Sequence, residues 1–395
     1  MNWPVKKIGE VCIVERGSSP RPIDKYITDG PNGINWIKIG DTDESMYITS
    51  TAQKIIPEGM KKSRYVKAGD FLLSNSMSFG RPYILKIDGC IHDGWLLLRD
   101  KNEVFDKKFL YYYISSPTTY EKLRQLAVGG VVNNLNSELV RNVEVPIPSF
   151  EEQRAVSDKL DCISGLIHKR NQQLTKMDEL VKSRFVEMFG EPFRCPKWKT
   201  EQLHVLAESI SDGSNIDKQC YKKHDSVLFL RIQNVWFNEL RLEDSVYISD
   251  VVNKNYFDTS LHKGDLLITK IGRYYTDDSS LGRVSVYLGE DDKANYSNNI
   301  MRVRLRDRVN SEFVNALMNL DDYNKYIRNV SVGGTDKRAL SKKIIGELPI
   351  VVPPEQIQQQ YVEFLHQVDK SKLAVKQSLE KLETLKKSLM QQYFG

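Results

Sequence analysis

From Val156 onward, apolar residues fall at Leu160, Ile163, Ile167, Leu174, Met177, Val181 and Met188, in steps of three, four and seven. That spacing keeps one stripe along a helix. Held for about five heptads, it predicts a long coiled-coil-like helix. A second stripe runs through Leu365, Val368, Val375, Leu379, Leu382 and Leu389, and Arg170, Arg184, Lys372 and Lys386 interrupt the two seams. Each stripe starts just after a proline-bearing loop (Pro146 and Pro148; Pro353 and Pro354) with acidic residues in the first turn, as helix starts favour. The first stops before Gly190 and Pro192. A helix of about 38 residues spans about 57 Å. It cannot bury its stripe alone, so the two are expected to pack together, antiparallel.

The remaining sequence has a different rhythm. Short β-branched and aromatic runs, such as Phe71-Leu72-Leu73, Trp95-Leu96-Leu97-Leu98, Leu266-Leu267-Ile268 and Val284-Ser285-Val286-Tyr287, are separated by Gly, Asn, Asp and Pro. They predict a twisted or barrel-like sheet with a few short helices, over 107–126 and 311–329.

The chain is written twice. LNSELVRNVEVPIPSFEEQRAV from Leu135 matches LSKKIIGELPIVVPPEQIQQQYV from Leu340, an offset of about 205 residues that also brings Phe189-Gly190 onto Phe394-Gly395. Gly129-Gly130 falls on Gly333-Gly334 with a one-residue gap. Upstream, WIKIGD from Trp36 corresponds to FLRIQN from Phe229, KAGDFLLS from Lys67 to HKGDLLIT from His262, and Gly80-Arg81 to Gly282-Arg283. Chance supplies one such match, but not several in the same order. The expected organisation is residues 1–148, a first domain; 149–190, a helical spacer; 191–353, a second domain; and 354–395, a second spacer.

Composition narrows the function classes. The 395 residues are 40% hydrophobic and 28% charged, a globular balance, and no run of about 18 uncharged apolar residues exists to span a membrane. The N-terminus lacks the apolar core of a secretion signal. Five cysteines without a CxxC pair fit a reducing cytoplasm, with neither a disulfide framework nor a zinc site. A net charge of +5 is small for a chain that coats nucleic acid, so any DNA-binding charge must be local.

The duplicated strings at the helix entrances (PIPSFEEQ and VVPPEQIQQQ), the Gly-Asp turns at Gly69 and Gly264, and the duplicated ends resemble the specificity (S) subunit of type I restriction-modification systems, over essentially the whole chain. The resemblance implies an α+β protein: two target-recognition domains separated by two long antiparallel coiled-coil helices, in a pseudo-twofold tandem repeat. It also implies a non-catalytic reader of a bipartite asymmetric DNA site. Two modification subunits would use S-adenosylmethionine to methylate adenine at N6, and restriction subunits would hydrolyse ATP with Mg²⁺ and cleave. This chain itself would bind no cofactor. One departure is the loop near the start of each recognition domain, where the family often carries Gly-Gly-Thr-Pro. Here it is Gly17-Ser18-Ser19-Pro20 in one half and Gly213-Ser214-Asn215, without the proline, in the other.

The residues themselves agree with a non-catalytic reading. The chain has no GxxxxGK[ST] loop, no GxGxxG cradle, no Asn-Pro-Pro-aromatic string and no metal spacing among His92, His168, His204, His224, His262 and His366. Asp265 with Lys270 imitates half of a nuclease site, but a turn at the entry of a strand explains it as well. Two rivals stay open: a coiled-coil scaffold that never touches DNA, and a self-contained DNA methyltransferase or nuclease.

Candidate DNA contacts are basic and amide side chains beside glycine turns, because base edges are read by such groups while flanking cations meet phosphate. In the first half these are Arg16, Ser18, Ser19, Arg21, Lys25, Ser74, Asn75, Arg81, Asn133 and Asn134. In the second they are Lys270, Arg273, Tyr274, Arg283, Thr335, Lys337 and Arg338. Solvated turns are the plain alternative. Arg302, Arg304, Arg306 and Arg308 alternate on one strand face, either as a phosphate rail or as an exposed face paired with acids such as Asp291 and Asp292. The run Phe109 to Tyr113 fits base stacking, or more simply helix packing. Phe185, Phe189, Leu389, Tyr393 and Phe394 are expected at outer helix positions, offering apolar surface to a partner subunit.

Overall fold

A computed structural model describes residues 3–75, 80–127, 135–276, 278–334 and 336–395, with 126 and 127 in backbone only. The chain forms two compact units. One comprises Met1–Gln172 with Lys376–Gly395, and the other Gln173–Val375. Among the described residues no helix is long and apolar enough to cross a membrane.

The two stripes become helices of 40 residues each, Phe150–Phe189 and Glu355–Phe394. Ser149 and Glu152 start the first with a capping box. The Glu152 N–H donates to Ser149 Oγ at 3.3 Å, and the Ser149 N–H donates to Glu152 Oε2 at 2.9 Å. Gly190, at φ +78°, closes it in a conformation that disfavours any side chain.

In the first unit, two five-stranded sheets face each other. One orders Cys12–Arg16, Trp95–Asp100, Phe71–Ser74, Pro82–Leu85 and Tyr47–Ile48. The other orders Ile27–Thr28, Gln53–Ile55, Ile34–Ile37, Gly89–Ile91 and Arg64–Val66. Leu72, Trp95 and Leu97 point between the sheets with Tyr83 and Ile91, while Phe71, Leu73, Leu96 and Leu98 pack on the helical side. Burial on both faces explains why these strands read as unbroken apolar runs rather than as alternation.

The second unit repeats the central strands, Ala207–Asp212, Ile300–Leu305, Leu266–Thr269 and Val284–Val286, in an antiparallel sheet. Its partner sheet is smaller: Val246–Ile248, Val227–Leu230 and Ala294–Tyr296. Each expected short helical stretch divides in two, Lys107–Ser115 with Pro117–Ala127 and Ser311–Met318 with Asp321–Val330. The first break falls at Ser116-Pro117, where proline suits a new helix start but not a helix interior.

The Gly-Asp turns are a duplicated internal frame. Gly69 and Gly264 sit at φ +92° and +94°. The aspartates behind them, both buried, accept backbone N–H donors from Lys67 and His262 at 2.8 Å. Each then pairs with an arginine across the sheet, Asp70 with Arg99 and Asp265 with Arg304. The imitation of a nuclease site is thereby resolved: Asp265 holds the Arg304 guanidinium at 2.8 Å by both oxygens, and Lys270 pairs with Asp212 instead.

Of the positions assigned to a partner subunit, Phe185, Phe189 and Phe394 turn out to be internal, and Leu389 and Tyr393 are partly buried. Phe185 and Phe189 are buried against Phe313 and Tyr361, with ring centroids 4.9 Å apart for Phe189 and Phe313. Phe394 is buried against Phe109 at 5.5 Å and Tyr113 at 5.7 Å. Tyr393 stacks on Trp3 at 6.4 Å, and Leu389 packs on the same core. The heptad stripe hides part of a long helix, and the recognition domain covers these extra aromatics. Each compact unit therefore takes the start of one long helix and the end of the other, so the spacers do not form compact units of their own. Within the second unit the two segments run antiparallel: Tyr361 donates to the Val181 carbonyl at 3.2 Å, and Lys372 meets Asp178 at 2.7 Å.

Candidate nucleic-acid interface

In the first unit the loop after Cys12–Arg16 is fastened to Asp93. The Ser19 hydroxyl donates to Asp93 Oδ1 at 2.8 Å, Arg16 Nε and Asn75 Nδ2 donate to the Asp93 carbonyl at 3.0 and 2.9 Å, and Arg21 lies 3.7 Å from its carboxylate. Partial burial pushes the Asp93 carboxyl up. The Ser19 hydroxyl and nearby backbone N–H and cationic groups outweigh that and hold it below its usual range. Gly17 is obligatory because a Cβ would collide with the His92 carbonyl. Gly213 is pressed likewise against the Tyr296 and Ser297 carbonyls, so the missing proline of the second loop leaves this close approach intact.

Sorting the first-half candidates by exposure separates them. Arg16, Arg21, Lys25 and Arg81 reach solvent. Ser19, Arg21 and Lys38 line a shallow pocket of about 530 Å³ with Trp36 and His92. Ser18 is exposed, its hydroxyl donating to the Lys62 carbonyl at 3.1 Å. Arg81 is anchored by a bond to the Asp43 carbonyl at 2.9 Å and lies over the Tyr83 ring.

Ser74 and Asn75 are corrections: both are buried, and Ser74 Oγ accepts the Arg81 N–H at 2.9 Å to close the turn between two strands. Asn133 and Asn134, like Thr335 in the second half, lie outside the described residues.

The second half brings two distant strings into one sheet. Ile271–Arg273 pairs antiparallel with Lys337–Ala339, placing Arg273 opposite Lys337 and Gly272 opposite Arg338, and Val332–Gly333 adds a third strand. The Arg338 guanidinium sits 3.9 Å from the centre of the Tyr274 ring, and Tyr274 donates to Asn329 Oδ1 at 3.1 Å. Tyr275 packs edge-on against Tyr274 and is 75% exposed. Arg273 and Lys337 line a pocket of about 370 Å³ with Asn299, Thr276 and Ser280.

Two candidates drop out of this surface. Arg283 is only 5% exposed, donates to the Ser279 and Asp278 carbonyls and stacks on Trp236 at 3.7 Å. Burial lowers its basicity, with Asp278 opposing. Lys270 is largely covered and bound to Asp212.

The four-arginine alternation divides: Arg302 and Arg304 are covered within the sheet, and Arg306 and Arg308 are exposed beyond its end. Its strand ends at Leu305, Arg302 donates to the Ser260 carbonyl at 2.8 Å, and Arg308 pairs with Glu201 at 2.9 Å. Phe109, Tyr112 and Tyr113 are helix-core residues. Tyr275, Lys38 and Asn299 join the exposed surfaces although sequence reasoning did not select them. For Tyr275 the signal was present, in the string Arg273-Tyr274-Tyr275.

Among the described residues, no three His, Cys, Asp or Glu side chains gather to hold a metal ion. The surface can offer hydrogen-bond donors, cations and aromatic faces to a polyanion, a chemistry of recognition.

Comparison with known proteins agrees. The model of the type I restriction modification DNA specificity domain matches twice, over residues 1–176 and 197–385. The MjaIX specificity subunit of Methanocaldococcus jannaschii is 26% identical over 69% of this chain and 66% of its own length. The MjaVIII specificity subunit of the same organism is 19% identical over 98% of this chain and 91% of its own. This chain thus spans just under two thirds of the first relative and nearly all of the second.

Two solved structures share the fold. One, from work on complex assembly and conformational transition of the type I system, has TM-score 0.60 and 17% identity, covering 99% of this chain and 97% of that one. The other, the S subunit from M. genitalium, has TM-score 0.56 and 14% identity, covering 100% and 96%. The repeat, the fold and the family match coincide: the chain belongs to the type I restriction-modification DNA specificity family, whose members are non-catalytic and leave the chemistry to partner subunits.

Proposed function

We propose that each repeat reads one half of a bipartite, asymmetric double-stranded DNA site and that the long helices set the unread gap between the halves. Two modification subunits would carry S-adenosylmethionine and methylate adenine. Restriction subunits would carry ATP and Mg²⁺, and the complex would work in the cytoplasm. The observation that carries this reading is a contrast within the repeat. The buried frame recurs bond for bond (Asp70 with Arg99, Asp265 with Arg304), whereas equivalent surface positions differ: Ser19 and Arg21 of the first loop stand where the second has Asn215 and Asp217, and Arg81 is exposed where Arg283 is buried. Two readers of unlike sequences need that combination, because phosphate and base contacts lie at the tips while the scaffold is indifferent to sequence.

Mapping modified adenines across the genome with and without the gene tests the proposal. A split motif should appear only when the gene is present. Alanine at Arg21, Arg81, Arg273 and Arg338 together should abolish DNA retention by the assembled complex. Retention unchanged by that variant would favour the scaffold reading, and methylation or cleavage by the purified chain alone would favour an enzyme.

A further inference from the structure

The repeat is most faithful at the entrance of each long helix, where a glutamine reaches back into the recognition domain. Gln153 is 1% exposed. Its Nε2 donates to the Val104 carbonyl at 3.0 Å and the Pro148 carbonyl at 3.1 Å, and its Oε1 accepts the Asp106 N–H at 2.8 Å. Gln358, equally buried, donates to the Arg308 carbonyl at 3.3 Å and the Pro353 carbonyl at 2.8 Å, and accepts the Asn310 N–H at 2.8 Å.

Asp106 and Asn310 are in turn the caps of the short helices Lys107–Ser115 and Ser311–Met318. One side-chain amide thus ties together three segments: the cap of a recognition-domain helix, the loop that leaves the domain, and the first turn of the long helix. Buried this deeply, neither glutamine can meet DNA or a partner.

The amide contributes to stability, since an apolar side chain of the same volume would leave the Asp106 N–H and two carbonyls, or their counterparts at Gln358, without partners. What three bonds through one amide add is direction. Apolar contacts slide at little cost, whereas hydrogen bonds weaken steeply once their angles change.

We propose that Gln153 and Gln358 are positioning residues that fix the angle between each recognition domain and its long helix, and so confine the complex to one gap length in its DNA target. This rests on the bipartite-site reading above. A small rotation at the helix entrance is magnified along a helix of this length, so a loose joint would let the domain meet a half-site displaced by a base pair.

The test uses the chain assembled with its modification subunits and a set of DNAs with both half-sites kept and the gap varied by one base pair either way. The substitutions Gln153→Met and Gln358→Met together keep the volume and remove all six bonds. Preference for the native gap over its neighbours should fall about tenfold, while methylation at the native gap changes less than about threefold. Unchanged preference, or equal loss at every gap, overturns the inference.

The single variant Gln153→Met, which loosens one joint and leaves the Gln358 joint whole, guards against a double variant that does not fold and should relax the preference partway. Amide exchange at Asp106 and Asn310 reports whether the joint has opened. Faster exchange with an unaltered gap preference also overturns the inference. A wild-type complex that modifies no split site overturns the bipartite reading itself, and this inference with it.

Discussion

Arginines in the second unit divide by burial into two kinds of work. Arg302 and Arg304 lie inside, bound to the Ser260 carbonyl and to Asp265, whereas Arg273 is exposed and Arg338 lies half-buried over Tyr274, the ring that packs on the exposed Tyr275. Spacing alone could not separate them: the alternation Arg302, Arg304, Arg306, Arg308 puts all four on one face, but only a partner across the sheet decides whether that face is wet. Arg304→Ala should therefore act on stability, costing about 3 kcal/mol because it strands the buried Asp265 carboxylate, as read by denaturant unfolding. Tyr275→Ala should leave unfolding unchanged and weaken binding to double-stranded DNA by about 1 kcal/mol, the loss of an apolar ring contact in the groove. Tyr275→Phe should retain most of that affinity in a fluorescence anisotropy titration. Equal weakening by Phe would mean that the hydroxyl, not the ring face, makes the contact.

At the level of elements, the long helices were the most legible part because a stripe, a proline-bearing entrance, acidic residues in the first turn and, for the first helix, a terminal glycine all agree. Their observed bounds, Phe150–Phe189 and Glu355–Phe394, repeat at the same offset as the sequence strings. The sheets were legible as apolar runs but not in their order, since pairing is set by contacts far apart in the chain.

One contact escaped the repeat comparison because its acidic and basic side chains change places. Lys108 pairs with Asp161 in the first unit, and the equivalent positions hold Glu312 and His366, 2.6 Å apart. Both pairs fasten a short helix to a long one, and the Tyr112 hydroxyl also donates to Asp161 at 2.6 Å. Lys108→Glu should destabilise the first unit by about 1 kcal/mol, a like-charge contact at a partly exposed site. That predicts a fall of about 2–4 °C in its melting transition. Glu in place of Lys with Asp161→Lys added should recover most of the loss. Failure to recover would mean that Tyr112, rather than the ion pair, is the fastening.

For the whole molecule, the sequence blocks 1–148, 149–190, 191–353 and 354–395 and the compact units cut the chain differently. The units exchange helix at residues 172–173 and 375–376, in the middle of each long helix. The reason lies in the aromatic ends. Phe189 packs on Phe313 and Phe394 on Phe109, so the end of each helix belongs to the core that the other helix begins. A local reading of the stripe sees a helix and cannot see whose core receives its end.

If the long helices set the gap, both must be lengthened together at this division. Four residues add about 6 Å and a little more than one turn, which keeps the apolar stripe nearly in phase. Inserted after Gln172 alone, they lengthen one helix while the other keeps its length, so one unit must give up its helix pairing. Inserted after Gln172 and after Val375 together, they lengthen both helices where neither core is interrupted. Paired insertion should move the methylated adenines apart by about two base pairs, from 6 Å against 3.4 Å per pair, with both half-site motifs intact. Single insertion should lower the melting temperature and weaken methylation. Mapping modified adenines for the three variants decides it: an unshifted gap in the paired variant would mean that the helices do not set the spacing.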